Sequence, residues 1–281
     1  MQNERVTKKN RKKPPTAGRF RAIINDFYTR HGRRFLWRDT RNPYHIFISE
    51  MMLQQTQVER VTQKYPQFIQ RFPDITTLAH STLHRVLEAW QGLGYNRRAL
   101  LIHRAAQVLA GKHNGKFPRS RSDLLTLPGI GQSTAGAICA FAYNIPCVFI
   151  ETNIRRVFIH FFFPRKKNVH DRDIAGLVQE TLDKKNPRRW YWALMDYGTY
   201  LKKTSSNPNL RSAHYGRQSR FEGSNRQVRG AILRTLTQTG SMTEAALTSS
   251  LPFAKRKIAE NLTKLNEEGF LKKQGRRFSI R

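Results

Sequence analysis

Apolar residues between positions 19 and 201 recur at spacings of three and four, as in Phe20-x-x-Ile23-Ile24-x-x-Phe27 and Val86-Leu87-x-x-Trp90. That period lays one apolar stripe along a helix, whereas the strict alternation of a half-buried strand is scarce here. Turn signals interrupt the pattern at Asn42-Pro43, Phe72-Pro73, Gly111 to Gly115, Leu127-Pro128-Gly129 and Asn186-Pro187. The spacing predicts an all-α domain of about eight to ten short helices.

The character changes over residues 202–224, which are polar, basic and turn-rich and read as a linker or loop. Three amphipathic helices are expected after it, at 227–238, 242–249 and 254–268, then two short strand-like pieces around Gln274-Gly275. Three helices followed by a basic hairpin is the layout of a winged-helix module, placed at 225–281. Its third helix would read duplex DNA, and Arg276 and Arg277 would sit on the wing. Residues 1–18, rich in Lys and Arg with a Pro14-Pro15 break, read as a disordered basic arm. No internal repeat is present.

Charge narrows the partners. The chain of 281 residues carries 51 Lys+Arg against 19 Asp+Glu, a formal charge of +32. An excess of that size calls for a polyanion, and nucleic acid is the commonest one. A hydrophobic share of 38% still supplies a core for one large domain or two modest ones. No apolar run reaches the roughly 18 residues of a membrane helix. The basic N-terminus lacks the apolar stretch of a secretion signal. Cys139 and Cys147 make neither a disulfide framework nor a four-thiolate metal site. His80 and His84, one helical turn apart, read as surface residues rather than a zinc pair. The expected setting is a reducing, cytoplasmic, DNA-associated one, with the chain acting as a monomer on double-stranded DNA.

The clearest local motif is Leu127-Pro128-Gly129-Ile130-Gly131, between a helix ending near Thr126 and another starting near Gln132. Glycines at alternate positions let backbone N–H groups approach a phosphate without side-chain obstruction. The following helix offers its positive N-terminus to the same anion. This is a helix-hairpin-helix grip on a DNA backbone, and Leu127, Gly129, Gly131, Gln132 and Thr134 are its expected contacts. The bland alternative is an ordinary glycine-rich turn. A monovalent cation at the hairpin is the one ion anticipated.

Several blocks together carry a wider resemblance. They are Leu36-Trp37-Arg38, the run from Pro43 through Glu50 to Val58, Trp90-Gln91-Gly92-Leu93-Gly94-Tyr95, residues 127–137, Glu151-Thr152-Asn153-Ile154-Arg155-Arg156-Val157, and Met195-Asp196-Tyr197-Gly198. In order and spacing the chain resembles the helix-hairpin-helix (HhH-GPD) DNA glycosylases, most closely the MutY-type adenine glycosylases. The resemblance spans roughly residues 20–201. It implies the two-lobed helical fold of that superfamily and removal of a mismatched or damaged base.

Cleaving an N-glycosidic bond needs a proton donor for the leaving base and an anion facing the sugar cation. The base must first leave the stack. By the resemblance, Glu50 protonates the base and helps position water, with partial burial holding its proton available. The resemblance gives the second carboxylate role to Glu151, which would stabilise the oxocarbenium-like sugar. The family has Asp at that point, and the extra methylene moves the carboxylate by about 1.5 Å. Glu151 also reads as an N-cap for the helix at Asn153. Ser133 stands where strand-nicking relatives carry a Schiff-base lysine, which implies a monofunctional hydrolase that leaves an abasic site. Gln55 and Tyr95 match positions that wedge into the duplex, and Arg155 is a further expected DNA contact. Trp37, Arg38, Leu53, Ser133 and Trp192 would edge the base pocket, with a structural cation–π pair as the alternative for Arg38.

Two departures from the family bear on cofactor and substrate. The positions of its iron–sulfur cysteines are occupied here by Lys202, Asn209, Ser212 and Gln218, so no cluster is expected. The family's Nudix-like domain, which reads 8-oxoguanine, is replaced here by the winged helix. Adenine opposite 8-oxoguanine or guanine is the first expected substrate. Thymine or uracil opposite guanine is the alternative, and a non-catalytic DNA-binding protein on the same fold is the second alternative.

Overall fold

The computed structural model describes residues 13–281 except 205, 217 and 219. It divides into two compact units, one formed by residues 1–33 and 146–215, the other by 34–145 and 216–281. The basic arm over 1–12 lies outside the described residues, and the helical chain starts before position 19. Thr16 caps the first turn of α1 (Ala17–His31) by accepting from the Arg19 amide, so Ala17 and Gly18 are helical rather than part of the arm.

The second unit then takes up the chain with a short 3-10 turn, Leu36–Arg38, and seven helices. These are α2 (Pro43–Leu53), α3 (Val58–Arg71), α4 (Ile75–His80), α5 (Leu83–Trp90), α6 (Arg97–Lys112), α7 (Arg121–Leu125) and α8 (Gln132–Tyr143). The first unit is completed by α9 (Thr152–Phe162), α10 (Asp171–Thr181), α11 (Pro187–Thr204) and a 3-10 turn at Pro208–Arg211. Eleven α-helices therefore occupy the described part of the stretch expected to hold eight to ten. The surplus comes from α4 and α7, six and five residues long, too short to show a period.

In the first unit α9 packs on α11 and α1. Phe20 is the hub, with the rings of Phe158, Phe161, Phe162 and Trp190 all within 6 Å of its own. The closest approach is at Gly198, where a Cβ would lie 2.5 Å from the Asn153 carbonyl oxygen, so only glycine admits α11 there. In the second unit α2 is buried along most of its length and packs against α8. Asn42 caps α2 through the Tyr44 amide and Pro43 occupies its first position, as the turn signal implied.

The C-terminal part is a winged helix: α12 (Asn225–Thr239), β1 (Ser241–Thr243), α13 (Glu244–Ser250), α14 (Lys255–Glu267), β2 (Leu271–Gln274) and β3 (Arg277–Ile280). The strands form an antiparallel sheet of order β1-β3-β2, with Met242 opposite Phe278 and Leu271 opposite Ile280. The strand β1 is an addition to the sequence reading, since three residues are too few to show alternation. Of the histidine pair, His80 bonds its own helix at Thr76, but His84 is not a plain surface residue. Its Nε2 donates to the Thr237 carbonyl at 2.8 Å and pins α12 to α5.

Candidate functional site

In the second unit the acid-bearing helix and the glycine hairpin are tied together. Gly129 (φ +81°) sits where a Cβ would lie 2.8 Å from Leu101 Cβ and 3.2 Å from Met51 Cε. The Gln54 amide donates to Thr134 Oγ1 at 3.2 Å, joining the end of α2 to the first turn of α8. Glu50 lies one turn before that joint, half-buried, while Phe47, Ile48, Ser49, Met51 and Met52 around it are buried. A carboxylate in such a setting is costly unless it serves a purpose. Leu53, half-buried, follows on the same helix.

The hairpin glycines have different reasons to be glycine. Gly131, the N-cap of α8, has an ordinary φ of −93° and open space around its missing side chain. Its exposed amide neighbourhood, with Gln132 exposed and Ser133 half-buried, is the helix N-terminus offered to an anion. We expect Gly129→Ala to lower stability by roughly 1–3 kcal/mol, from a left-handed backbone plus a clash. Gly131→Ala should leave the thermal midpoint nearly unchanged while weakening DNA binding. Thermal unfolding and a DNA titration on the two variants check the contrast.

Two turns beside this joint adopt left-handed backbone at residues that seldom do so, Gln55 (φ 54°) and Tyr95 (φ 48°). Non-glycine residues are held there only when their surroundings over-determine them. Here the agent is Arg98, buried at the start of α6, which the sequence reading passed over. Its Nη1 donates to the carbonyls of Met51, Met52 and Gln54 at 2.7–2.8 Å. Its Nη2 reaches Thr56 Oγ1 and the carbonyls of Leu93 and Gly94. One guanidinium thus closes the C-terminus of α2 and both wedge turns, and stacks on the rings of Trp90 and Tyr95. Burial brings its pKa down to about 10, so it stays charged at neutral pH.

Several expected contacts are placed otherwise. Trp37 is 6% exposed and stacks on Phe35 (centroids 4.8 Å apart), and Leu127 is 2% exposed. Both side chains belong to the core, because a large apolar group beside a turn gains more from burial than from water. Thr134 is buried with its hydroxyl taken by Gln54. At these positions only the backbone can meet DNA. Arg38 does make a cation–π contact, but with Phe35 rather than with its neighbour Trp37. Arg277 bonds the hydroxyl and carbonyl of Ser241, while Arg276 is exposed at the hairpin tip.

In the first unit Glu151 caps α9. Its Oε1 accepts from the amides of Asn153 and Ile154 at 2.7 and 2.8 Å, and its Oε2 from Asn153 Nδ2 at 3.2 Å. Arg155, expected on DNA, instead forms a bidentate pair with Asp171 at 2.6 and 2.8 Å. Its neighbour Arg156 is the buried one, donating to Asn153 Oδ1, Asn207 Oδ1 and the Gly198 carbonyl. Trp192 is half-buried on α11.

Burial pushes the Glu151 carboxyl above the ordinary glutamate range, and the hydrogen bonds from Asn153 and Ile154 and the charges of Arg156 and Arg155 only partly oppose it. A raised carboxylate pKa favours folding below the ordinary value, and that contribution is lost as pH rises through the folded-state value. Ionised Glu151 therefore costs stability at neutral pH. We expect Glu151→Gln to be as stable as the parent or more so. If the ionised form does the work, the parent's acid limb of activity lies above the ordinary glutamate range and is absent from the variant. A pH–rate profile with matched melting curves checks both.

The loop after α11 is built on polar bonds. Asn209 is buried and donates to the Thr152 carbonyl at 2.9 Å, while Ser212 pairs with Val169 in an isolated bridge. Lys202, Asn209, Ser212 and Gln218 supply no thiolate, so they do not fit an iron–sulfur cluster. Among the described residues no group of His, Cys, Asp and Glu could hold a metal ion, and no helix is long and apolar enough to cross a membrane.

A helix-hairpin-helix, an acid on the adjoining buried helix and a capped carboxylate after it define a class, and comparison with known proteins gives the same one. Residues 48–182 match the HhH-GPD superfamily of base excision DNA repair proteins, and the chain belongs to that family. Within it, the chain is of the MutY type. It is 35% identical over 239 residues to the adenine DNA glycosylase of Mycolicibacterium smegmatis, covering 77% of this chain and 80% of that one. It is 41% identical over 187 residues to the adenine DNA glycosylase of Buchnera aphidicola subsp. Baizongia pistaciae, covering 65% of this chain and 52% of that one. The chain thus spans about half the length of several curated relatives it matches. In fold it is similar to a thermostable thymine-DNA glycosylase (TM-score 0.58, 24% identity, 65% of this chain and 85% of that one). It is also similar to an endonuclease III in a complex with DNA (TM-score 0.58, 19% identity, 68% and 90%).

Proposed function

We propose that the chain is a monofunctional DNA glycosylase of base excision repair that flips out and hydrolyses a mismatched base, adenine first, leaving an abasic site in double-stranded DNA. The observation that carries the proposal is Glu50, a half-buried acid on a helix bolted to the phosphate-binding hairpin through Gln54 and Thr134. A pure DNA binder gains nothing from an acid kept in that setting. Glu50 gives its proton to the departing base, and Glu151 supplies the anion for the sugar cation. Ser133 cannot form a Schiff base, so strand cleavage is not part of the reaction. Adenine is preferred as the substrate because the relatives that the chain matches over most of their length are named adenine DNA glycosylases.

The test is a panel of labelled duplexes carrying adenine opposite 8-oxoguanine or guanine, and thymine or uracil opposite guanine. The proposal expects adenine release, with strand breaks appearing only after alkali. Release of thymine or uracil alone would move the specificity. Breaks without alkali would overturn the monofunctional assignment.

A further inference from the structure

Within the second unit, α12 does more than join the winged helix to the rest. A groove of about 880 Å³ runs between it and the two left-handed turns. Gln55 and Tyr95 line one side, and Phe221, Arg226, Arg229 and Arg234 the other. Arg226 bridges the two sides. Its Nη1 donates to the Tyr95 hydroxyl, and its guanidinium lies 5.2 Å from the Tyr95 ring centroid and 5.4 Å from that of Phe221. Phe221 is 56% exposed, a costly position for a benzyl group unless something covers it. The acid among the described lining residues is Glu268, and both its oxygens already accept from Arg229. The groove is therefore cationic along its walls, aromatic at its centre and supplied with amides.

That combination recognises a nucleobase on a polyanionic strand: arginines meet phosphates, and the aromatic rings offer stacking faces. An arginine edge held between two rings presents its donors in a plane, which suits the paired O6 and N7 acceptors of guanine. We propose that Phe221 and Arg226 of the winged-helix part, with Tyr95, form a binding site for the base opposite the one excised, and that this base is a guanine-type purine. The inference rests on the glycosylase reading, because only base flipping leaves that partner unpaired. It gives the winged helix a part in substrate choice that its exposed helix α14 and wing do not explain.

The experiment uses the full chain and duplexes carrying a stable tetrahydrofuran abasic analogue at the target position. Opposite it stands either guanine or a second tetrahydrofuran. The measured quantity is the ratio of the two dissociation constants. The parent should favour guanine by about tenfold, the size of one base-stacking or bidentate contact. Arg226→Gln and, separately, Phe221→Ala should each bring the ratio close to one. Phe221 is a surface residue, so its variant reports even if Arg226→Gln folds poorly. A parent ratio near one, or variants that weaken both duplexes equally and keep the ratio, would overturn the proposal. Parallel base-release assays separate the two claims: loss of guanine preference with release intact sinks only this site, and absence of release with preference intact sinks only the enzymatic reading.

Discussion

Replacing Glu50 by Gln is expected to slow base release by about 100- to 10,000-fold, the range of a positioned general acid–base group. Binding to the same duplex should stay close to that of the parent. Glutamine keeps the volume and polarity of the side chain on α2, so the buried neighbours Phe47, Ile48, Met51 and Met52 need not move. What it removes is the proton that the leaving base must take. Single-turnover rates and a titration of the same duplex measure the two quantities. A variant that releases base at the parental rate would mean that the proton comes from elsewhere. A variant that neither binds nor reacts would mean that Glu50 holds the helix rather than the chemistry.

The second large effect belongs to Arg98. Truncation to Ala strands the carbonyls of Met51, Met52, Gln54, Leu93 and Gly94, all of which now accept from one guanidinium. Each buried acceptor left without a donor costs about 1–3 kcal/mol unless water reaches it. Water will reach some, and the expected total is about 3–5 kcal/mol, or roughly 10 °C in thermal midpoint. Arg98→Lys should recover little, since an ammonium keeps the charge but not the fork that spans both turns. Gln55 and Tyr95 lose the bonds that fix their left-handed backbone, so both variants should also bind DNA less well at temperatures where they remain folded. A midpoint shift below about 2 °C would show that the clamp is dispensable.

The helical architecture was legible because period and turn chemistry agreed along the chain. Asn42-Pro43 opens α2, Asn186-Pro187 opens α11, and Gly131 opens α8 where the hairpin required it. The winged helix was legible as three amphipathic stretches and a hairpin, though β1 was too short to register. The arginines were not legible. In a chain with 51 basic residues, nothing local separates Arg155 from Arg156 or Arg97 from Arg98. Burial and partners decide their roles, and those partners are distant: Arg156 meets Gly198, and Arg98 meets Met51. The same holds for the docking of α12 beside Tyr95, which joins residues 131 positions apart. Glu151 was legible in both of its aspects, as a helix cap and as an acid in an apolar run. Its bonding to two amides follows from the first.

The central claim is that this chain hydrolyses an N-glycosidic bond. Its most direct test is mass analysis of the products from a duplex with adenine opposite 8-oxoguanine, under single-turnover conditions. The account predicts free adenine and an intact strand bearing an unmodified abasic sugar, with both products absent when Glu50→Gln is used. An unchanged duplex, bound by the parent protein but not altered, would contradict it.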